Sequence, residues 1–187
     1  MNKTHLRYSC STSFGLTCSS PSPMSTICVS PHPLKATSVL TSTGSTVTEW
    51  DTRSGQNIAR YWHKFDSKFG TQRALNDCSC TTVASMPGYV GSGWSDGSVR
   101  VFKADDTHAE SDGNSLLDAD AAPERPQPLT LSGHRGPVTS LAFHGPSHLL
   151  ATGGSDGKVV VWDVVDETGR YRLSGHRGVI TGLRFYG

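Results

Sequence analysis

The sequence predicts an all-β chain built from repeated four-stranded antiparallel sheets, and three observations carry that prediction. A long stretch recurs: LSGHRGPVTSLAF (Leu131 to Phe143) returns as LSGHRGVITGLRF (Leu173 to Phe185), 42 residues on. Gly-His and Trp-Asp dipeptides alternate within that period and bracket short β-branched runs. A content of 20 Gly and 10 Pro among 187 residues, with only 35% hydrophobic, suits short strands joined by tight turns.

The elements follow in order. A first, worn copy of the repeat spans residues 4–62, with the strand Phe14-Gly15-Leu16 near its start and Trp50-Asp51 closing a later strand. A second copy spans 75–133. Its GSGWSDGSVRVFK (Gly91 to Lys103) returns as GGSDGKVVVWD (Gly153 to Asp163), with Phe102 where Trp162 stands. Residues 104–128 interrupt that copy between its third and fourth strands. They are acidic, rich in Ala, Pro and Asp, and without periodicity, so they read as a disordered surface loop.

The third copy, 134–174, is the clearest. Val138, Ser140 and Ala142 alternate with Thr139, Leu141 and Phe143, the period of a strand. Leu149 to Ala151 open the next strand, and Ser155-Asp156-Gly157 makes a tight turn because Asp and Gly tolerate positive φ. Val159 to Trp162 is a β-branched run, and Tyr171 to Leu173 forms the outer strand. Residues 175–187, from Gly175-His176 onward, begin a further copy.

A Gly-His dipeptide, a strand and then Trp-Asp, at a period of about 40–45 residues, resembles the WD-repeat family. The resemblance implies a partial WD-repeat β-propeller of about three four-stranded blades plus the first strand of another. A closed propeller needs about 4–8 blades, so the chain reads as an N-terminal fragment of a longer protein. The resemblance also implies a buried hydrogen-bond chain in the third blade. His134 would bridge Asp156 and the hydroxyl of Thr152, and Trp162 would donate its indole N–H to that hydroxyl. The second blade keeps only part of the set: Ser92 and Asp96 match, but Phe102 has no N–H and no Gly-His precedes them. The first lacks the Asp and the His, and its Glu49 stands where an apolar residue is expected. Both blades are therefore expected to rely more on apolar packing.

Charge is uneven. Residues 104–128 hold Asp105, Asp106, Glu110, Asp112, Asp118, Asp120 and Glu124 against Arg125 alone, which leaves the remainder of a chain of net charge +1 basic. A basic body is compatible with nearby RNA phosphates. The five cysteines, Cys10, Cys18, Cys28, Cys78 and Cys80, form no CxxC pair, which suggests a reducing compartment. Cys78 and Cys80 are two apart and would share one strand face as buried thiols. No metal site, cofactor site or catalytic residue is expected: Walker, GxSxG and HExxH patterns are missing, and Asp105-Asp106 is an isolated pair in a loop. No run approaches the roughly 18 apolar residues of a membrane span, and no small-molecule substrate is implied.

Within the WD-repeat family, a narrower likeness emerges. Leu6-Arg7-Tyr8 before Phe14-Gly15-Leu16, the run Asp96 to Phe102, and Val160 to Val165 leading through Glu167-Thr168-Gly169 to Tyr171-Arg172-Leu173 and Gly175-His176 resemble the tandem-propeller WD-repeat subunits of the UTP-B subcomplex of the small-subunit processome. The opening before Glu49 is free of acids and rich in Ser and Thr, as transit peptides are, but its likeness to that start argues against cleavage. The resemblance implies a nucleolar, nuclear, non-catalytic scaffold in small ribosomal subunit biogenesis. Its partners would be other processome proteins, pre-rRNA and small nucleolar RNA. The alternative is a generic WD-repeat adaptor, such as a ubiquitin-ligase substrate receptor or a signalling scaffold.

Overall fold

The computed structural model describes residues 24–30, 38–61, 78–104 and 128–186. They form three four-stranded antiparallel sheets, each a simple meander in chain order. The first contains β1 (Met24–Ser30), β2 (Ser38–Thr43), β3 (Thr46–Asp51) and β4 (Asn57–Tyr61). The second contains β5 (Cys80–Met86), β6 (Tyr89–Trp94), β7 (Ser98–Lys103) and β8 (Leu129–Ser132). The third contains β9 (Val138–His144), β10 (Leu149–Gly154), β11 (Val159–Asp163) and β12 (Thr168–Leu173). The Phe14-Gly15-Leu16 strand and the acidic stretch 105–127 lie outside the described residues.

Sequential hairpins follow from the sequence. Asp156-Gly157 turns β10 into β11, with Gly157 at φ +71° and its amide donating to Gly154 O at 3.2 Å. Asp163 ends β11 by accepting the amides of Val165 and Asp166, each at 3.0 Å, which nucleates the turn into β12. Arg170, on β12, reaches back to the same carboxylate at 2.7 Å. The Asp166 amide, then Arg170, hold the Asp163 carboxyl below the usual carboxylate range.

Two apolar clusters lie between the sheets. Leu40, Val47 and Tyr61 of the first sheet meet Val83, Trp94 and Phe102 of the second. Val99, Val101 and Leu131 of the second meet Val138, Leu150 and Trp162 of the third. The first strands of adjacent sheets, β1 with β5 and β5 with β9, approach most closely, as they do around a propeller axis.

The seams repeat in detail. Val138 fills the space above Gly93, whose absent Cβ would stand 2.7 Å from the valine, and Thr81 Oγ1 donates to Val138 O. One repeat on, Ile180 fills the space above Gly153, and Thr139 Oγ1 donates to Ile180 O at 2.5 Å. Residues 174–186 are in no strand pairing, yet buried Ile180 is seated on the third sheet as Val138 is on the second.

Each sheet has two ends. The β2–β3, β6–β7 and β10–β11 turns mark what we term the upper end, where the β8–β9 connection 133–137 also lies. The β3–β4 and β11–β12 turns mark the lower end, where β7 also ends at Lys103.

Candidate functional site

The upper end of the third sheet holds a chain of polar groups from three segments. His134, in the β8–β9 connection, is 9% exposed. Its Nδ1 lies 3.1 Å from Asp156 Oδ1, and its Nε2 lies 2.8 Å from Thr152 Oγ1. Trp162 Nε1 donates to the same hydroxyl at 2.9 Å. One proton arrangement satisfies these contacts: Nδ1–H donates to Asp156, the Thr152 hydroxyl donates to Nε2, and the indole donates to that hydroxyl. A second acceptor, Val160 O, lies farther from the hydroxyl at 3.3 Å.

Glycines make room for this chain. A Cβ at Gly154 would stand 2.5 Å from His134 Nδ1, and one at Gly133 would stand 2.8 Å from the Trp162 ring. The Gly of Gly-His therefore lets the loop backbone lie against the indole. Burial draws the Asp156 carboxyl upward, but hydrogen bonds from His134 and the Arg135 and Lys158 amides outweigh it and hold the group below the ordinary range. Both ring nitrogens of His134 are engaged, which leaves neither for proton transfer to a substrate.

In the second sheet Ser92 and Phe102 occupy the corresponding strands and Asp96 the corresponding turn, but they do not form the same chain. Phe102 is 1% exposed and meets Tyr61 of the first sheet edge-on, with ring centroids 5.3 Å apart. The indole donor comes from elsewhere: Trp94 Nε1 donates to Ser92 Oγ at 2.9 Å. Sequence reasoning missed this residue, although Ser92 and Trp94 are two apart on β6 and so share a face. Trp94 pairs with Cys80 and stands one position beyond Gly93, as Gly154 stands one beyond Gly153. A side chain at that position enters the space that His134 fills in the third sheet. The indole of Trp94 thus replaces both the missing histidine and the missing Trp-Asp tryptophan.

The group around Trp94 is closed by charge. The Arg100 guanidinium lies 3.9 Å over the Trp94 ring and 3.6 Å from Asp96. Burial raises the Asp96 carboxyl's pKa, and hydrogen bonds from Ser98 more than offset it, so the group lies below the ordinary range. Cys80 opens β5 and is buried, which pushes its thiol up to about 11. Cys78 precedes the strand and is only partly buried, yet it packs against the same apolar cluster as Cys80.

The first sheet has a third solution. Trp50 Nε1 donates to Thr41 Oγ1 at 2.8 Å, which matches the Trp162–Thr152 bond in register. Glu49 is 3% exposed and accepts from Ser38 Oγ at 2.6 Å and from Tyr61 Oη at 2.8 Å. The glutamate is buried as an apolar residue would be, and two hydroxyl donors offset its desolvation.

Among the described residues no group of three or more His, Cys, Asp or Glu is placed to hold a metal ion, and no helix is long and apolar enough to cross a membrane. The upper end, by contrast, presents cations: Arg135, Arg172 and Arg177 are exposed and Lys158 is half-buried.

This architecture, a series of meander sheets packed around an axis, is that of β-propeller blades. Residues 126–163 match the family model described as WD domain, G-beta repeat. The chain is similar over 61 residues to Lissencephaly-1 homolog of Schistosoma mansoni (38% identical; 33% of this chain, 14% of that protein). Over 40 residues it is 52% identical to Transducin beta-like protein 3 of Rattus norvegicus, covering 21% of this chain and 5% of that one. It is 48% identical over 40 residues to Periodic tryptophan protein 2 homolog of Schizosaccharomyces pombe, with the same coverage of 21% and 5%. The matches therefore span only a small part of each relative's length.

Solved structures share the fold over most of the chain. U3-55K superposes with a TM-score of 0.64 at 18% identity, over 89% of this chain and 44% of that one. The computationally designed Ika4 protein superposes with a TM-score of 0.60 at 22% identity, over 93% of this chain and 86% of that one.

Proposed function

We propose that this chain is a propeller segment of a non-catalytic scaffold in small ribosomal subunit biogenesis, acting in processome assembly and 18S rRNA maturation. Its partners would be other processome proteins, pre-rRNA and small nucleolar RNA, and its location the nucleolus. The observation that carries the reading is the run Val160 to His176, which combines VWDV, an E-x-G turn and Tyr-Arg-Leu before Gly-His. A generic blade needs the Trp, Asp and His of that run for its hydrogen bonds. It does not need Tyr171, which is 64% exposed, so the likeness there is not forced by packing. The local similarity to Periodic tryptophan protein 2 homolog and Transducin beta-like protein 3 supports the same direction. A scaffold role also accords with a histidine whose two nitrogens are occupied within the fold.

Affinity capture of the tagged chain tests the proposal. The expected result is recovery of small-subunit rRNA precursors and processome proteins, with nucleolar fluorescence of the tagged protein. A second reading, a generic WD-repeat adaptor, is favoured by the longer match to Lissencephaly-1 homolog. It predicts diffuse cytosolic signal and capture of signalling or ubiquitin-ligase components without pre-rRNA, and that outcome would overturn the ribosomal reading.

A further inference from the structure

The third sheet is electrically polarised from end to end. At its lower end lie Asp163, Asp166 and Glu167, with Arg170 bound to the first two at 2.7 and 2.9 Å. At its upper end lie Arg135, Lys158, Arg172 and Arg177, and among the described residues the acid of its own turn is Asp156, already bonded to His134.

The four cations converge because three segments meet there. The Arg135 amide donates to Asp156 Oδ2 at 3.2 Å, and the Lys158 amide donates to Oδ1 at 3.3 Å, so both residues flank one turn. The loop bearing Arg177 crosses the same turn, since a Cβ at Gly157 would stand 2.7 Å from His176 O. Arg172 pairs with Val160 on the edge strand, and its guanidinium lies against Gly133, two residues from Arg135. Among the described residues none of the four forms an ion pair.

We propose that the upper end of the third sheet binds the phosphate backbone of single-stranded RNA, through Arg135, Lys158, Arg172 and Arg177. The inference deepens the ribosomal reading and rests on it. Arginine forks match phosphate oxygens in pairs, and three of the four cations are arginines. Gly178, beside Arg177, leaves open space at its loop tip for close backbone approach. A repeating polyanion needs only the charges.

The test measures binding of the full chain to a fluorescent, unstructured 20-nucleotide RNA as salt is varied, with a poly-glutamate peptide as competitor. Four phosphate contacts give a log–log salt slope of about −3 and a loss of about 50-fold between 50 and 200 mM salt. The triple variant Arg135→Gln, Lys158→Gln, Arg177→Gln lowers the slope to about −0.7, and Arg135→Lys with Arg177→Lys restores most of it. Circular dichroism of each variant establishes that the sheets are intact; should the triple variant unfold, the single substitutions Lys158→Gln and Arg177→Gln carry the test, each reducing the slope by about 0.7. An unchanged slope in folded variants overturns the proposal, as does poly-glutamate displacing RNA at equal charge. Capture of pre-rRNA by a variant that has lost RNA binding in vitro would refute the single-sheet site while the ribosomal reading stands. RNA binding at this end with no pre-rRNA captured in cells would remove that reading instead.

Discussion

The second and third sheets solve one problem with different residues. Each must cover a buried hydroxyl on its second strand, Ser92 or Thr152, and in each an indole N–H reaches that hydroxyl at 2.9 Å. In the third sheet the indole comes from the third strand, and an imidazole from the preceding loop fills the remaining space. In the second, Trp94 rises from the second strand itself into the imidazole's place, which frees the third strand to carry Phe102. The comparison teaches that the conserved quantity in these sheets is a filled volume with a satisfied hydroxyl. The histidine is one means of reaching it.

Substitutions can break this equivalence. The largest effect is expected for truncating either indole: Trp162→Ala and Trp94→Ala should each cost about 3–5 kcal/mol in urea unfolding, from lost burial and a stranded hydroxyl. A value below about 1 kcal/mol for Trp94→Ala beside a full loss for Trp162→Ala would mean that Trp94 is no substitute. The shared volume is tested next. Gly154→Ala presses its new methyl on His134 and should cost about 1–3 kcal/mol. In a His134→Ala background that cost should shrink, a coupling of at least about 0.5 kcal/mol in a double-mutant cycle.

A smaller effect isolates the hydrogen bond. Trp162→Phe copies the second sheet's Phe102 without supplying a Trp94, and should cost about 1–3 kcal/mol. Acid unfolding sharpens the contrast further. The folded-state pKa of Asp156 lies below its unfolded value of about 3.9, so its stabilisation is present above that value and is lost as pH falls through the folded one. Asp156→Asn should therefore flatten the decline of stability below about pH 4 relative to the native chain, measured by urea midpoints at successive pH. The smallest perturbation is chemical: Cys80, raised to about 11, should resist alkylation at pH 8 in the folded chain and react on unfolding, as read by site-resolved mass spectrometry.

Much of the fold was legible because the 42-residue recurrence exposes it directly. Once Leu131 to Phe143 is seen to return, strands and turns follow from periodicity and turn chemistry, whereas the meeting of His134 with Asp156 was expected only from the family resemblance. The second sheet was legible in outline, yet its indole donor was sought only at the place of Trp162, where Phe102 stands. The alternation of a strand would have put Trp94 beside Ser92. Glu49 is harder to read. Its partner Tyr61 lies on the neighbouring strand beyond a register shift, opposite Val47, so no local pattern in the sequence joins the two. The cationic end of the third sheet was invisible for a related reason. Its four members span residues 135 to 177, and only the folding of three segments over one turn gathers them.

One hydroxyl per seam has a wider consequence. Thr139 Oγ1 contacts both Gly153 O of its own sheet and Ile180 O of the segment beyond, and Thr81 does the same between Gly93 O and Val138 O. Order is thereby handed on one neighbour at a time, so fraying begins at an outer unit and amide exchange slows step by step inward. These two junctions carry the same fitting. A duplicated unit spliced in at either of them would find its sockets already cut, which lets such a chain lengthen by copying with no new interface to invent.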